Sequence, residues 1–120
     1  MVRRSSTATE RSIQTAVKNA LNKHPATVVR VRSADAAGHV VGDPDIYGSI
    51  RGIHVEIEVK RPGEKPERIQ YQQLKYWADS GAACCWVTSK TQALAFQKAV
   101  LAGRCQGRIL ELGAISKQVR

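Results

Sequence analysis

The most regular pattern in the chain is the alternation Ile53-His54-Val55-Glu56-Ile57-Glu58-Val59-Lys60. A period of two puts the apolar side chains on one face of a β-strand and the charged ones on the other. Upstream, Ile13, Ala16, Val17, Ala20 and Leu21 recur at helical spacing and predict a first helix, closed by Pro25. Thr7-Ala8-Thr9-Glu10 reads as its capping box, with Thr7 at the N-cap and Glu10 at the third position. The β-branched stretch ATVVRVR, residues 26–32, predicts a strand. Residues 33–44 read as a loop, and 45–50 as a short strand. A two-residue Arg51-Gly52 turn then leads into the alternating strand, which predicts a hairpin.

After the loop RPGEKP, Pro66 suits the first position of a second helix and Glu67 its first turn. That helix is expected to run to about Ser80, with Gly81 at its C-cap. Residues 83–88 read as a buried strand. Ser89-Lys90-Thr91-Gln92 predicts a capping box opening a helix to about Ala102, and 108–112 a short strand. The order is α-β-β-β-α-β-α. A hairpin followed by β-α-β predicts an α/β fold, a mixed β-sheet flanked by helices. The expected organisation is a flexible basic arm at 1–6, one domain at 7–102 and a C-terminal extension of it at 103–120.

Charge changes the picture more than composition does. Nineteen Lys and Arg against ten Asp and Glu give +9 over 120 residues, spread along the chain. So basic a domain suits a polyanion, most often nucleic acid. No apolar run approaches a membrane span, and MVRRSSTATER has no apolar region behind its arginines. A cytoplasmic protein without a membrane partner is expected. Cys84, Cys85 and Cys105 lack metal-ligand spacing, and the first two read as small hydrophobes of a buried strand.

Glu56, Glu58 and Lys60 share one strand face. The turn Gly42-Asp43-Pro44 delivers Asp45 to the start of the partner strand, where hairpin pairing brings it near Glu58 and Lys60. Carboxylates on a rigid hairpin, with a backbone carbonyl such as that of Val59, suit Mg²⁺, a hard cation that prefers oxygen and keeps several waters. Such a metal polarises a phosphodiester and acidifies bound water. Lys60 beside it would orient or help deprotonate that water and offset phosphate charge. The competing reading is a solvated strand face. Glu56 reads as a salt-bridge partner or outer support, and Asp43 as a turn residue. Arg61, Lys65 and Arg68 flank the site as candidate phosphate contacts. His24, His39 and His54 lack ligand spacing, and Trp77 and Trp86 read as core.

Pro44-Asp45 followed by Glu58-Val59-Lys60 resembles the PD-(D/E)xK nuclease signature. With Gly42-Asp43-Pro44-Asp45-Ile46, a helix opening near Gln70, and Ala78-Asp79-Ser80-Gly81, the chain resembles the VRR-NUC family over roughly residues 7–101. The resemblance implies a restriction-endonuclease-like core and phosphodiester hydrolysis dependent on Mg²⁺ or Mn²⁺. It implies Asp45, Glu58, Lys60 and a helical glutamine, Gln70 or its rival Gln73, as catalytic residues. Asp45, Glu58, the Val59 carbonyl and Glu10 of the first helix would surround the metal. Glu10 also lies on the stripe of Ile13 and Val17 that faces the sheet. Small stand-alone members of the family imply a homodimeric nuclease for branched DNA, such as Holliday junctions, in a bacterial or phage-infected cell. The rivals are a non-catalytic basic nucleic-acid-binding protein, a general or sequence-specific DNase, and an RNA-directed nuclease.

Overall fold

The computed structural model describes residues 8–33, 38 and 40–115. The elements are α1 (Glu10–Leu21), β1 (Thr27–Val31), β2 (Ile46–Ile50), β3 (Ile53–Val59), α2 (Arg68–Asp79), β4 (Ala83–Val87), α3 (Lys90–Leu101), β5 (Ile109–Glu111) and α4 (Leu112–Ile115). The five strands form one sheet in the order β1-β2-β3-β4-β5. The β1–β2 and β2–β3 pairs are antiparallel, and β3–β4 and β4–β5 are parallel. This is the expected mixed α/β sheet, with α4 as an addition that the sequence pattern did not announce. The basic arm at 1–6 lies outside the described residues.

The hairpin turn works through backbone sign. Arg51 and Gly52 both have positive φ, at 49° and 79°. That matches the two-residue turn whose twist suits paired strands. Further along β2, Gly48 is required by close approach, because a Cβ there would lie 2.0 Å from the Val28 carbonyl oxygen on β1.

The helix starts differ from the sequence expectation. Thr9, not Thr7, is the N-cap of α1, and its Oγ1 accepts from Ser12 N–H at 3.0 Å. The serine hydroxyl answers by accepting from Thr9 N–H at 3.1 Å. A serine completes the box as well as a glutamate, so Glu10 is the first helical residue and its carboxylate is released for other work. Thr7 itself lies outside the described residues. For α2 the N-cap is Glu67, so Pro66 precedes the helix rather than opening it. On α3 Ser89 caps as expected, but Gln92 reaches one residue further back and accepts from Thr88 N–H at 2.6 Å.

Two apolar clusters sandwich the sheet. On one side Ile13, Val17 and Leu21 of α1 and Phe96 and Val100 of α3 pack on Val29, Ile46, Val55, Ile57, Val59 and Cys85. Full burial of each large apolar side chain contributes about 1.5–3 kcal/mol. Gln97 is buried within this layer, where its amide donates to Leu21 O at 2.9 Å and Thr27 Oγ1 at 2.8 Å. Asn22, just past α1, ties helix to sheet by pairing with both backbone groups of Val29, at 2.9 and 3.1 Å. On the other side α2 lays Leu74 and Ala78 over Cys84 and Trp86. The free thiols of Cys84, Cys85 and Cys105 are all buried. Thus α2 roofs the strand face that carries Glu56 and Glu58.

Candidate active site

The hairpin register sets the geometry. Ile46 pairs with Ile57, so Asp45, one residue earlier, lies across from Glu58. Asp45 Oδ2 accepts a 2.8 Å hydrogen bond from Val59 N–H. Lys60 leaves the end of β3 with its N–H on Val87 O at 2.9 Å, so β4 holds the backbone that carries the amine. Its Nζ lies 3.6 Å from Glu10 Oε2 and 4.0 Å from Glu58 Oε2. Residues 10, 45, 58 and 60 therefore converge from α1, the loop before β2, and the end of β3.

The electrostatics are unbalanced. Glu58 is 1% exposed, and among the described residues no N–H or hydroxyl donor reaches its side-chain oxygens; its one close polar neighbour there besides Lys60 is the Asp45 carboxyl, to which it can donate when protonated. Burial, with the nearby Asp45 carboxylate adding to it, pushes its pKa up to about 9, against the pull of Lys60. Burial also raises Asp45, to about 6, with Glu10 adding; the Val59 N–H, Lys60 and a hydrogen bond from Gln14 oppose it. Orphaned carboxylate oxygens in a dry site are costly. A hard cation held by oxygen would relieve that cost and draw both groups into their ionised forms. Among the described residues no three His, Cys, Asp or Glu side chains form a complete metal cage. The donor set is instead two carboxylates beside a strand backbone, which leaves coordination positions to water and substrate in the manner of Mg²⁺.

The remaining expected residues fall in distinct places. Glu10 opens α1 and pairs with Lys60. Gln70 sits at the start of α2, where its Oε1 accepts from Glu67 N–H at 2.9 Å. Gln73 is half-buried on the same helix. Arg61, Lys65 and Arg68 are exposed, and Arg61 pairs with Glu64 at 3.0 Å. His24 accepts from Ala26 N–H in the turn after α1, and His39 lies outside the described residues. Trp86 is core, whereas Trp77 is half-buried and stacks on His54, with ring centroids 4.9 Å apart.

Two features escape a reading of the sequence. Gln14 lies four residues after Glu10, one helical turn on, and contacts Asp45. That spacing was visible, but nothing in it tied Gln14 to the loop. The second is a network around Arg32. Its Nη1 donates to Glu56 Oε1 at 2.8 Å and to Pro44 O at 2.7 Å, and its Nη2 to Glu56 Oε2 at 3.2 Å. The guanidinium lies over the Tyr47 ring, 4.6 Å from its centroid. Glu56 is wholly buried and also meets His54 Nε2 at 2.6 Å. Asp43 accepts from Trp77 Nε1 at 3.3 Å and lies 3.9 Å from Arg32 Nε. Glu56 is thus the salt-bridge partner its place on the strand announced, while Asp43 does more than turn the chain.

A mixed sheet that gathers two carboxylates and a lysine at one strand end defines a class of α/β protein with a buried acidic site. No family profile matches the sequence, and no curated protein matches it. Solved structures do. One described as "VRR_NUC domain" is 26% identical, with a TM-score of 0.59 over 77% of this chain and 94% of that one. Another, "VRR_NUC domain protein", is 18% identical, with a TM-score of 0.63 over 84% of this chain and 95% of that one. The second shares the fold, and the first is similar to this chain in sequence as well as in fold. Among the described residues no helix is long and apolar enough to cross a membrane.

Proposed function

We propose that this protein is a nuclease: a metal-dependent, structure-selective DNA endonuclease that hydrolyses phosphodiester bonds. Within that class we assign it a Holliday-junction-resolvase-like role as a homodimer. The observation that carries the proposal is the buried Glu58 carboxyl, reached by no N–H or hydroxyl donor among the described residues and set beside the Asp45 carboxyl and the Lys60 amine. The structural likeness to VRR_NUC domains and the charge of +9 support it.

In this reading Asp45, Glu58 and the Val59 carbonyl would hold Mg²⁺ or Mn²⁺, with Glu10 beside them. The ion supplies Lewis acidity at the phosphate and a more acidic bound water. The chain's own residues do the rest. The Val59 N–H and Gln14 aim the Asp45 carboxylate. Lys60, held between Glu10 and Glu58, presents an ammonium that offsets charge building on the phosphate and orients the attacking water. Gln70, placed by the start of α2, is assigned to the phosphate through its side-chain amide. Arg61, Lys65 and Arg68 supply backbone contacts, which position DNA without reading sequence. A two-fold dimer would present two matched sites to a pseudo-symmetric junction.

The test is cleavage of a labelled four-way junction and a matched linear duplex by wild type, Asp45→Asn and Lys60→Ala, each with Mg²⁺, Mn²⁺ and EDTA. Paired cuts in the junction, dependent on metal and lost in both variants, are expected. Equal cutting of the linear duplex would replace the junction enzyme with a general DNase. Binding without metal-dependent cutting would leave a non-catalytic nucleic-acid-binding protein.

A further inference from the structure

We propose that Arg32, braced by Glu56, is a positioning residue that holds the 43–45 loop so that Asp45 meets the metal; this rests on the metal-dependent reading above. Three consecutive loop residues are tied to Arg32. The Asp43 carboxylate lies 3.9 Å from its Nε, the Pro44 carbonyl accepts from its Nη1 at 2.7 Å, and the Asp45 carbonyl accepts from its backbone N–H at 2.7 Å. Trp77 Nε1 adds a second hold on Asp43 at 3.3 Å. Asp45 lies one residue before β2, and the backbone bond from Arg32 continues the β1–β2 ladder to it, so the Arg32 side chain acts on the two residues ahead of Asp45, Asp43 and Pro44.

The brace explains an otherwise puzzling burial. Glu56 is 0% exposed and points into the layer under α2, where a carboxylate needs partners. Its two oxygens take both Nη atoms of Arg32, which fixes the guanidinium plane. With that plane fixed, Nη1 can donate to Glu56 and Pro44 together. A lysine at 32 would keep the charge but has no planar fork with which to serve both acceptors. Arg32 touches neither Glu58 nor Lys60 among the described contacts, so its action passes through the loop. Supports of this kind, one shell removed from a metal, typically change its affinity by about 10–100-fold.

The test is Mn²⁺ binding by calorimetry on the full chain without DNA, with melting curves in EDTA. The variants are wild type, Arg32→Lys, the double variant Arg32→Met/Glu56→Leu, and Asp45→Asn as the site control. Arg32→Lys keeps the charge, and the double variant removes both charges from the buried pair, so each guards against loss of fold. The expected result is Mn²⁺ affinity lowered about tenfold or more in both Arg32 variants while they still melt cooperatively. Wild-type affinity in a folded Arg32→Lys or double variant would overturn the positioning role alone. If wild type binds Mn²⁺ no better than Asp45→Asn, the metal-site reading fails, and this inference with it. If both Arg32 variants fail to melt cooperatively, the pair serves the fold and the positioning role is overturned.

Discussion

Glu58→Gln is expected to make the metal-free protein more stable while ending the proposed metal-dependent cleavage. In the folded chain the carboxyl holds its proton up to about pH 9, whereas the ordinary value is 4.5. Between those limits the native state binds more protons than the unfolded state, so this group makes stability fall as pH rises. Each pH unit in that window costs about 1.4 kcal/mol. At pH 7 the loss is about 3 kcal/mol, and at pH 5 it is under about 1 kcal/mol. Glutamine keeps the shape, does not titrate, and places an amide beside the Asp45 carboxylate. The variant should therefore exceed wild type by about 3 kcal/mol at pH 7, or on the order of 10 °C in melting temperature. The advantage should shrink toward pH 5 and grow toward pH 8. Asp45, raised to about 6 from 3.8, adds a smaller fall at lower pH. The assay is urea unfolding in EDTA at pH 5, 7 and 8, repeated with excess Mg²⁺. Added Mg²⁺ should stabilise wild type most at high pH, where less proton has to be displaced, and leave Glu58→Gln nearly unmoved. Wild-type stability that rises from pH 5 to 8, with no gain in the variant, would refute the reasoning.

Gly48→Ala should melt well below wild type, by more than 10 °C on the order of a severe backbone clash, because its Cβ would press on the Val28 carbonyl 2.0 Å away. Thermal circular dichroism checks it. Gln97→Leu leaves the Leu21 carbonyl without its 2.9 Å donor and should cost about 1–3 kcal/mol in chemical denaturation, with little change in pH dependence. DNA affinity should fall steeply with salt, and Lys65→Ala and Arg68→Ala should each flatten the log–log slope by about one, read from anisotropy titrations at several salt concentrations.

Most of the architecture is legible in the chain because periodicity reports burial. The alternation of 53–59 and the stripe of Ile13 and Val17 define strand and helix, and the two-residue Arg51-Gly52 link defines the hairpin. Helix starts are less legible, since Thr7 and Thr9 offer the same chemistry and only the chain's path selects Thr9. The pairing of Asp45 with the end of β3 follows from register, which a hairpin of known turn length fixes. The degree of burial does not follow. A strand with charges on one face reads as half-solvated, yet α2 covers Glu56 and Glu58. The sharing of Arg32 between Glu56 and the Pro44 carbonyl is also out of reach, because it joins residues 24 and 12 positions away through tertiary placement alone.

The sheet order has a consequence for how the protein comes into being. By residue 60 a growing chain already holds Glu10, Asp45, Glu58 and Lys60. The strand that pins the Lys60 backbone at Val87, and the Trp86 that lies beside Glu58, have still to be synthesised. In the folded chain β4 pairs alongside β3, with Trp86 across from Glu58, so the burial of that carboxyl depends on residues that follow it in sequence. The burial that β4 and α2 supply is what raises the Glu58 pKa. A nascent chain therefore carries the ingredients of the proposed cutting chemistry for some 27 residues of synthesis before it can assemble them. Maturation ends with Glu58 buried and its carboxyl pKa raised.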